Sequence, residues 1–237
     1  MASIKGKTIW ITGASSGIGK SLALELCKYP CNLILSSRKE GELFKVKEAC
    51  GDSDNISVLP IDLKDHDQMV QISEKAISFY GKVDILVNNA GILRDKTFLK
   101  MSVEDMREVI DVHLIGSLNC SKAVWETMRE QNYGRIVLTS SSSGLYGNFG
   151  QTNYGAAKMA MLGIMNTLHL EGMKYNIKVN CLAPTAGTAM TDGLFPEPVF
   201  KLMPPESVSP GVVFLCSKDA PSRKVLAAGG GSFAIFK

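Results

Sequence analysis

Short apolar, β-branched runs alternate along this chain with longer stretches in which apolar positions recur at helical spacing. The short runs lie at residues 8–11, 32–35, 56–59, 84–87, 135–138, 178–182 and 224–227, and each is nearly continuous in apolar character. A strand buried on both faces needs that continuity, whereas a half-exposed strand alternates. Helical periodicity covers residues 18–29, 67–79, 103–129, 154–174 and 207–217, the last opening where Ser207, Ser209 and Pro210 cluster as start signals. This order predicts an α/β fold: a doubly wound parallel sheet of about seven strands with helices on both faces.

No internal repeat or linker interrupts the pattern, so residues 1–237 are expected to form a single domain. The irregular part is residues 185–210, where Pro196, Pro198, Pro204, Pro205 and Pro210 stop regular elements. It follows the sixth strand, where open α/β sheets bind ligands, and its Met, Leu, Phe and Pro content suits a substrate lid over residues 190–205. Lys and Arg number 26 against 23 Asp and Glu, a balance of +3 without a basic run, so nucleic acid is not an expected partner. No run reaches the roughly 18 apolar residues of a membrane span, and the polar opening does not suit a signal peptide. A soluble, cytoplasmic protein with no membrane partner is expected. Cys27, Cys31, Cys50, Cys120, Cys181 and Cys216 form no CxxC pair or His/Cys cluster, which predicts reduced thiols and no metal site.

Candidate chemistry starts directly after the first run, at Thr12-Gly13-Ala14-Ser15-Ser16-Gly17-Ile18-Gly19. Glycines let a backbone turn tightly and approach a pyrophosphate, which then meets free N–H groups at the positive end of the following helix. Gly13, Ser15, Ser16, Gly17, Ile18 and Gly19 are therefore the candidate phosphate contacts, and the sheet becomes Rossmann-type. The second strand ends at Ser37-Arg38, with no carboxylate to hold a ribose 2′-OH. Ser37 can donate a hydrogen bond and Arg38 can fork onto a 2′-phosphate, which favours NADP(H) over NAD(H). The competing assignment for Arg38 is a solvated charge beside Glu40.

Tyr154 and Lys158 stand four apart, so on a helix they share one face. An ammonium there would stabilise phenolate and bring the tyrosine towards working pH, as a general acid/base requires. Ser141 could hold a substrate oxygen, although Ser140, Ser142 and Ser143 crowd the same turn and a serine there could equally cap a helix.

These pieces resemble the short-chain dehydrogenase/reductase family along nearly the whole chain: the glycine turn, Asp62 after the third strand, Asn88-Asn89-Ala90-Gly91 after the fourth, Ser141, and Tyr154-x-x-x-Lys158. The resemblance implies that Tyr154 transfers the substrate proton, Lys158 binds the nicotinamide ribose, and Ser141 orients the carbonyl. It further implies that Asp62 and Leu63 bracket the adenine, that Asn89, Ala90 and Gly91 line the cofactor cleft, and that Pro184 and Thr188 reach the nicotinamide end. Homodimers or homotetramers through the two long helices are implied in the same way. The family's Asn-x-x-Gly element reads His113-Leu114-Ile115-Gly116 here, so His113 either holds the water that connects the lysine to solvent or fills a helix interface. The stretches around Asn88, His113, Gly147 and Pro210 resemble the (3R)-hydroxyacyl-CoA dehydrogenase domains of peroxisomal multifunctional β-oxidation enzymes. That resemblance implies NAD, against the NADP(H) expected from Ser37 and Arg38.

The expected activity is interconversion of a ketone and a secondary alcohol, on a small carbonyl or alcohol substrate that includes 3-oxoacyl thioesters. A general carbonyl, steroid or polyol reductase and a catalytically silent nucleotide-binding scaffold are the alternatives.

Overall fold

A computed structural model describes residues 4–193 and 196–236. Residues 1–3 and 237, and Leu194 and Phe195 of the expected lid, lie outside the described residues. Strands β1 (Thr8–Thr12), β2 (Asn32–Ser36), β3 (Ile56–Val58), β4 (Ile85–Asn88), β5 (Gly134–Thr139), β6 (Ile177–Pro184), β7 (Val225–Gly229) and β8 (Ser232–Phe236) form one sheet. Its order is β3-β2-β1-β4-β5-β6-β7-β8. Neighbours run parallel as far as β7, and β8 folds back antiparallel after Gly230 and Gly231, both at positive φ. The expected count of about seven strands is thus one short. All five residues of β8 are exposed, so no burial pattern announced it.

Helices α1 (Gly17–Leu26), α2 (Glu40–Ala49), α3 (Met69–Ser78), α4 (Val103–Ile110), α5 (Gly116–Glu130), α6 (Ser142–Tyr146), α7 (Thr152–Gly172), α8 (Glu197–Lys201) and α9 (Ser209–Cys216) cover the sheet. Strand alternation divides the core in two. Ile9, Ile11, Leu33 and Leu35 meet Leu22 and Leu26 of α1, Leu43 and Val46 of α2, and Val212 and Leu215 of α9. Trp10, Ile34, Leu86 and Ile136 point the other way, to Val124 and Met128 of α5 and Met161 and Met165 of α7.

The single helix expected over 103–129 is in fact α4, a π-helical turn at Asp111–Ile115, and α5. In that wider turn the Gly116 N–H reaches back five residues to the Asp111 carbonyl. Regular apolar spacing continues on either side, which hides the extra residue from the sequence pattern.

Candidate active site

The strand order reverses between β1 and β4, and a cleft of about 360 Å³ opens at their carboxyl ends. The glycine turn forms one wall. A Cβ on Gly13, whose φ is +69°, would stand 2.8 Å from the Ala90 Cα, and a Cβ on Gly19 would collide with the Gly13 carbonyl. Ser16 precedes α1 without a side-chain cap, which leaves the first N–H groups of that helix open to an anion. Asn89 works mainly as a lock. Its Nδ2 donates to the carbonyls of Thr12 (3.1 Å) and Gly13 (3.3 Å), while Thr12 Oγ1 accepts from the N–H groups of Asn89 (3.0 Å) and Ala90 (3.1 Å). Thr12, which sequence reasoning did not single out as a site residue, thereby ties the turn after β1 to the turn after β4.

At the end of β2, Ser37, Arg38 and Lys39 line the cleft. Ser37 Oγ accepts from the Lys39 N–H at 3.1 Å, so its hydroxyl proton is free to donate outwards. Arg38 is exposed and forms no ion pair or hydrogen bond among the described residues, Glu40 included. Asp62 and Leu63 line the same cleft, with Asp62 accepting from the Lys64 N–H at 3.0 Å. Gly116 lets α5 pass so close to Leu63 that a Cβ there would approach it to 2.8 Å.

Tyr154, Lys158 and His113 meet in the cleft, and Ser141 follows β5 at the start of α6. Ser141 does two jobs. It caps α6 by accepting from the Ser143 N–H at 3.2 Å, and its hydroxyl acts on the Tyr154 phenol so as to lower its pKa. Ser140, its rival by sequence, donates to the Lys158 carbonyl at 2.8 Å and is buried beneath the site.

Burial dominates the electrostatics of this pair. Lys158 Nζ lies 5.5 Å from the Tyr154 ring centroid but donates to the Thr139 carbonyl at 2.6 Å. Burial lowers its pKa from 10.5 to about 7. The Tyr154 phenol is raised above its ordinary value, first by burial and further by the Asp95 charge, with the Ser141 hydroxyl acting the other way. Burial thus moves the two groups in opposite senses, the phenol up and the ammonium down.

His113 sits in the π turn with its ring at right angles to Tyr154, centroids 5.2 Å apart. Its Nε2 lies 2.8 Å from the Ile92 carbonyl and 3.0 Å from the Ile92 nitrogen, while Nδ1 is buried without a partner. Burial and the Lys158 charge lower its pKa to about 3, so the ring is neutral. The ring fits only because residue 91 is glycine; a Cβ there would collide with Cε1. Thr139 Oγ1, also lining the cleft, is a second buried polar atom without a partner.

Pro184 and Thr188 close the far wall. Thr188 Cγ2 would stand 3.2 Å from a Cβ on Gly17, so the loop after β6 crosses the glycine turn. Thr191, missed by sequence reasoning, holds that loop: its Oγ1 donates to the Ala186 carbonyl at 2.7 Å and accepts from the Thr188 N–H at 2.8 Å. In the described part of the expected lid, Met190 alone lines the cleft with Thr191, and α8 packs through Phe200 against Gly187.

The short chain dehydrogenase family model matches residues 7–198. The chain belongs to that family. It is 41% identical over 227 residues to peroxisomal multifunctional enzyme A of Dictyostelium discoideum, covering 91% of this chain and 50% of that protein, so it spans about half of that relative's length. It is 38% identical to the 3-oxoacyl-[acyl-carrier-protein] reductase FabG of Thermotoga maritima, covering 92% of this chain and 93% of that one. A short chain dehydrogenase from Mycobacterium avium superposes with a TM-score of 0.86 at 30% identity, over 99% of this chain and 86% of that one. This member of the short chain dehydrogenase family is an NAD(P)(H)-binding oxidoreductase. Among the described residues no group of three or more His, Cys, Asp or Glu side chains gathers to hold a metal ion, and no helix is long and apolar enough to cross a membrane.

Proposed function

We propose that this chain is an NADP(H)-preferring reductase that interconverts a 3-oxoacyl and a 3-hydroxyacyl thioester. The observation that carries it is the meeting of Tyr154 and Lys158, with His113, in the cleft that the glycine turn, Asp62 and Asn89 also line. The cleft residues fit that cofactor: the glycine turn and α1 would take the pyrophosphate, Ser37 and the unpaired Arg38 the 2′-phosphate, Asp62 and Leu63 the adenine. Asn89, Ala90 and Gly91 would flank the ribose side, Lys158 would hold the nicotinamide ribose, and Pro184 and Thr188 would reach the nicotinamide. That group supplies the hydride for reduction and accepts it in the reverse direction.

The protein supplies the proton. Burial keeps the Tyr154 phenol protonated at neutral pH, so it donates to the substrate oxygen as charge develops there, while the Ser141 hydroxyl steadies the same oxygen. Lys158, with a pKa of about 7, can return a proton to Tyr154. Nδ1 of His113 and Oγ1 of Thr139, buried without partners on two residues of the cleft, are polar atoms that a bound water beside the lysine could satisfy.

The thioester assignment draws on the reductase activity in the name of the Thermotoga maritima relative. Exposed Leu118 on α5, with Met159 and Leu170 on α7, supports assembly into homodimers or homotetramers, measurable by light scattering. Six free cysteines support a reducing, cytoplasmic setting.

Acetoacetyl-CoA with NADPH and with NADH tests the activity, alongside thermal stabilisation by each cofactor. NADPH-dependent turnover, lost in Tyr154→Phe, is the expected result. Equal stabilisation by both cofactors would remove the 2′-phosphate role of Arg38. Tight NADPH binding with no turnover of any ketone in a broad panel would leave a silent scaffold.

A further inference from the structure

We propose that the outer edge of β8 is an interaction surface for a second copy of this chain, the two β8 strands pairing antiparallel about a twofold axis at Ala234. This surface is separate from α5 and α7, and it does not depend on the proposed reaction.

Strand β8 returns along β7 after a two-residue turn, Gly230-Gly231, with φ of +54° and +76°. Positive φ at both positions marks a type I′ hairpin, whose closing pair exchanges both of its backbone hydrogen bonds. That pair is Gly229 and Ser232, so the exchange recurs at Ala227–Ala234 and Val225–Phe236. The N–H and carbonyl groups of Phe233 and Ile235 therefore point away from β7, off the end of the sheet. β8 is the last strand in the order, and among the described residues no group takes those four.

The opposite edge of the sheet is guarded. There β3 is three residues long with none exposed, and the Tyr80 hydroxyl hydrogen-bonds Ser57 in its middle at 2.9 Å. β8 lacks every such guard: Ser232-Phe233-Ala234-Ile235-Phe236 has no charge, no proline and no bulge in its register. It is also apolar where it is bare. Phe233 is 46% exposed, Ile235 49% and Phe236 37%. Phe233 packs on Gly211 of α9, whose own Phe214 is exposed, and Phe236 meets Tyr146 of α6 edge-on at 6.4 Å.

A second copy fits this edge better than any other strand, because the edge is complementary to itself. With the axis at Ala234, Phe233 lies opposite the partner's Ile235 and Ile235 opposite the partner's Phe233. Each pair exchanges two hydrogen bonds, so all four outward groups of each chain are satisfied. The side chains agree, since an aromatic then faces a β-branched residue on both sides of the axis. Neither β8 nor α9 carries a charged residue, so the axis brings none of their side chains into like-charge contact. Pairing also stops at two chains, because the joined sheet ends at a guarded β3 on both sides.

The register supplies the test. At the axis the two Ala234 residues form a non-hydrogen-bonded pair with Cα atoms about 4.5 Å apart, within disulfide range. Ser232 lies on the same face but about 14 Å from its own copy, at about 3.4 Å per residue. The full chain carrying Ala234→Cys, oxidised with copper–phenanthroline, is expected to run as a two-chain band on a non-reducing gel. Ser232→Cys and the parent, which controls for the six native thiols, are expected to run as single chains. Light scattering gives a second readout. Ile235→Pro removes an outward N–H and leaves the β7 ladder whole, so it halves the particle mass. A parent with the mass of one chain, a folded Ile235→Pro with the parent's mass, no two-chain band from Ala234→Cys, or equal cross-linking in Ser232→Cys overturns the proposal. Should Ile235→Pro fail to fold, Ile235→Lys sets like charges beside the axis and must halve the mass in its place; an unchanged mass there overturns the proposal equally.

Discussion

Lys158 should make the free protein less stable than an apolar residue would. Its side chain is 3% exposed, and burial lowers its pKa from 10.5 to about 7. At about 1.4 kcal/mol per pH unit that difference is about 5 kcal/mol of folding free energy. The folded-state pKa lies below the unfolded one, so the unfolded chain binds more protons between them. The penalty is absent above pH 10.5, grows as pH falls, and is complete below about pH 7. Lys158→Met removes it while roughly keeping the volume. The loss of the bond to the Thr139 carbonyl returns about 1–3 kcal/mol, which leaves a net gain of about 2–4 kcal/mol at neutral pH. The assay is urea unfolding of both proteins between pH 6 and 9. The advantage of the variant should be largest near pH 6–7 and shrink towards pH 9, while its oxidoreductase activity is lost. Buried thiols such as Cys120 and Cys216, pushed up to about 12, weaken both proteins alike at alkaline pH and cancel in the difference. A variant less stable than the parent at pH 7, or a difference independent of pH, would refute the reasoning.

Three further outcomes are expected. The His113 ring is neutral in the fold with a pKa of about 3 against 6.5 unfolded, so stability falls as pH drops below 6.5; His113→Gln should reduce the slope in that window by up to about 1.4 kcal/mol per pH unit in acid titrations followed by circular dichroism. Gly91→Ala should drive the His113 ring from its seat, costing about 1–3 kcal/mol in denaturant unfolding. Arg38→Ala should cut thermal stabilisation by NADP⁺ about tenfold or more in apparent affinity and leave that by NAD⁺ nearly unchanged, as loss of a charge-assisted hydrogen bond to phosphate implies.

The parallel strands were legible because burial on both faces leaves a plain record, as in Ile9-Trp10-Ile11 and Leu33-Ile34-Leu35. Helix α2 left little trace: only Leu43 and Val46 are buried among Glu and Lys. At the site, Ser141, Tyr154 and Lys158 could be picked out by spacing along one strand end and one helix. The state of those groups could not, since the low pKa of Lys158 depends on how fully the fold excludes water from it. Gln151 Nε2 donates to Asp95 Oδ2 across 56 positions, and nothing local to either marks a bond that exists only once the loop after β4 crosses α7.

The π turn at Asp111–Ile115 amounts to one surplus residue wound into an otherwise regular rod. Shortening the chain by a single position there would let α4 and α5 join as an ordinary helix, and by backbone hydrogen bonding alone nothing would be lost. Everything downstream would nevertheless rotate by about 100° against the sheet. Gly116 would leave Leu63, and the buried seam of Cys120, Val124 and Met128 would swing off the strands. The length of this segment is thereby fixed more tightly than its composition, and related chains should differ here by substitution far more readily than by deletion.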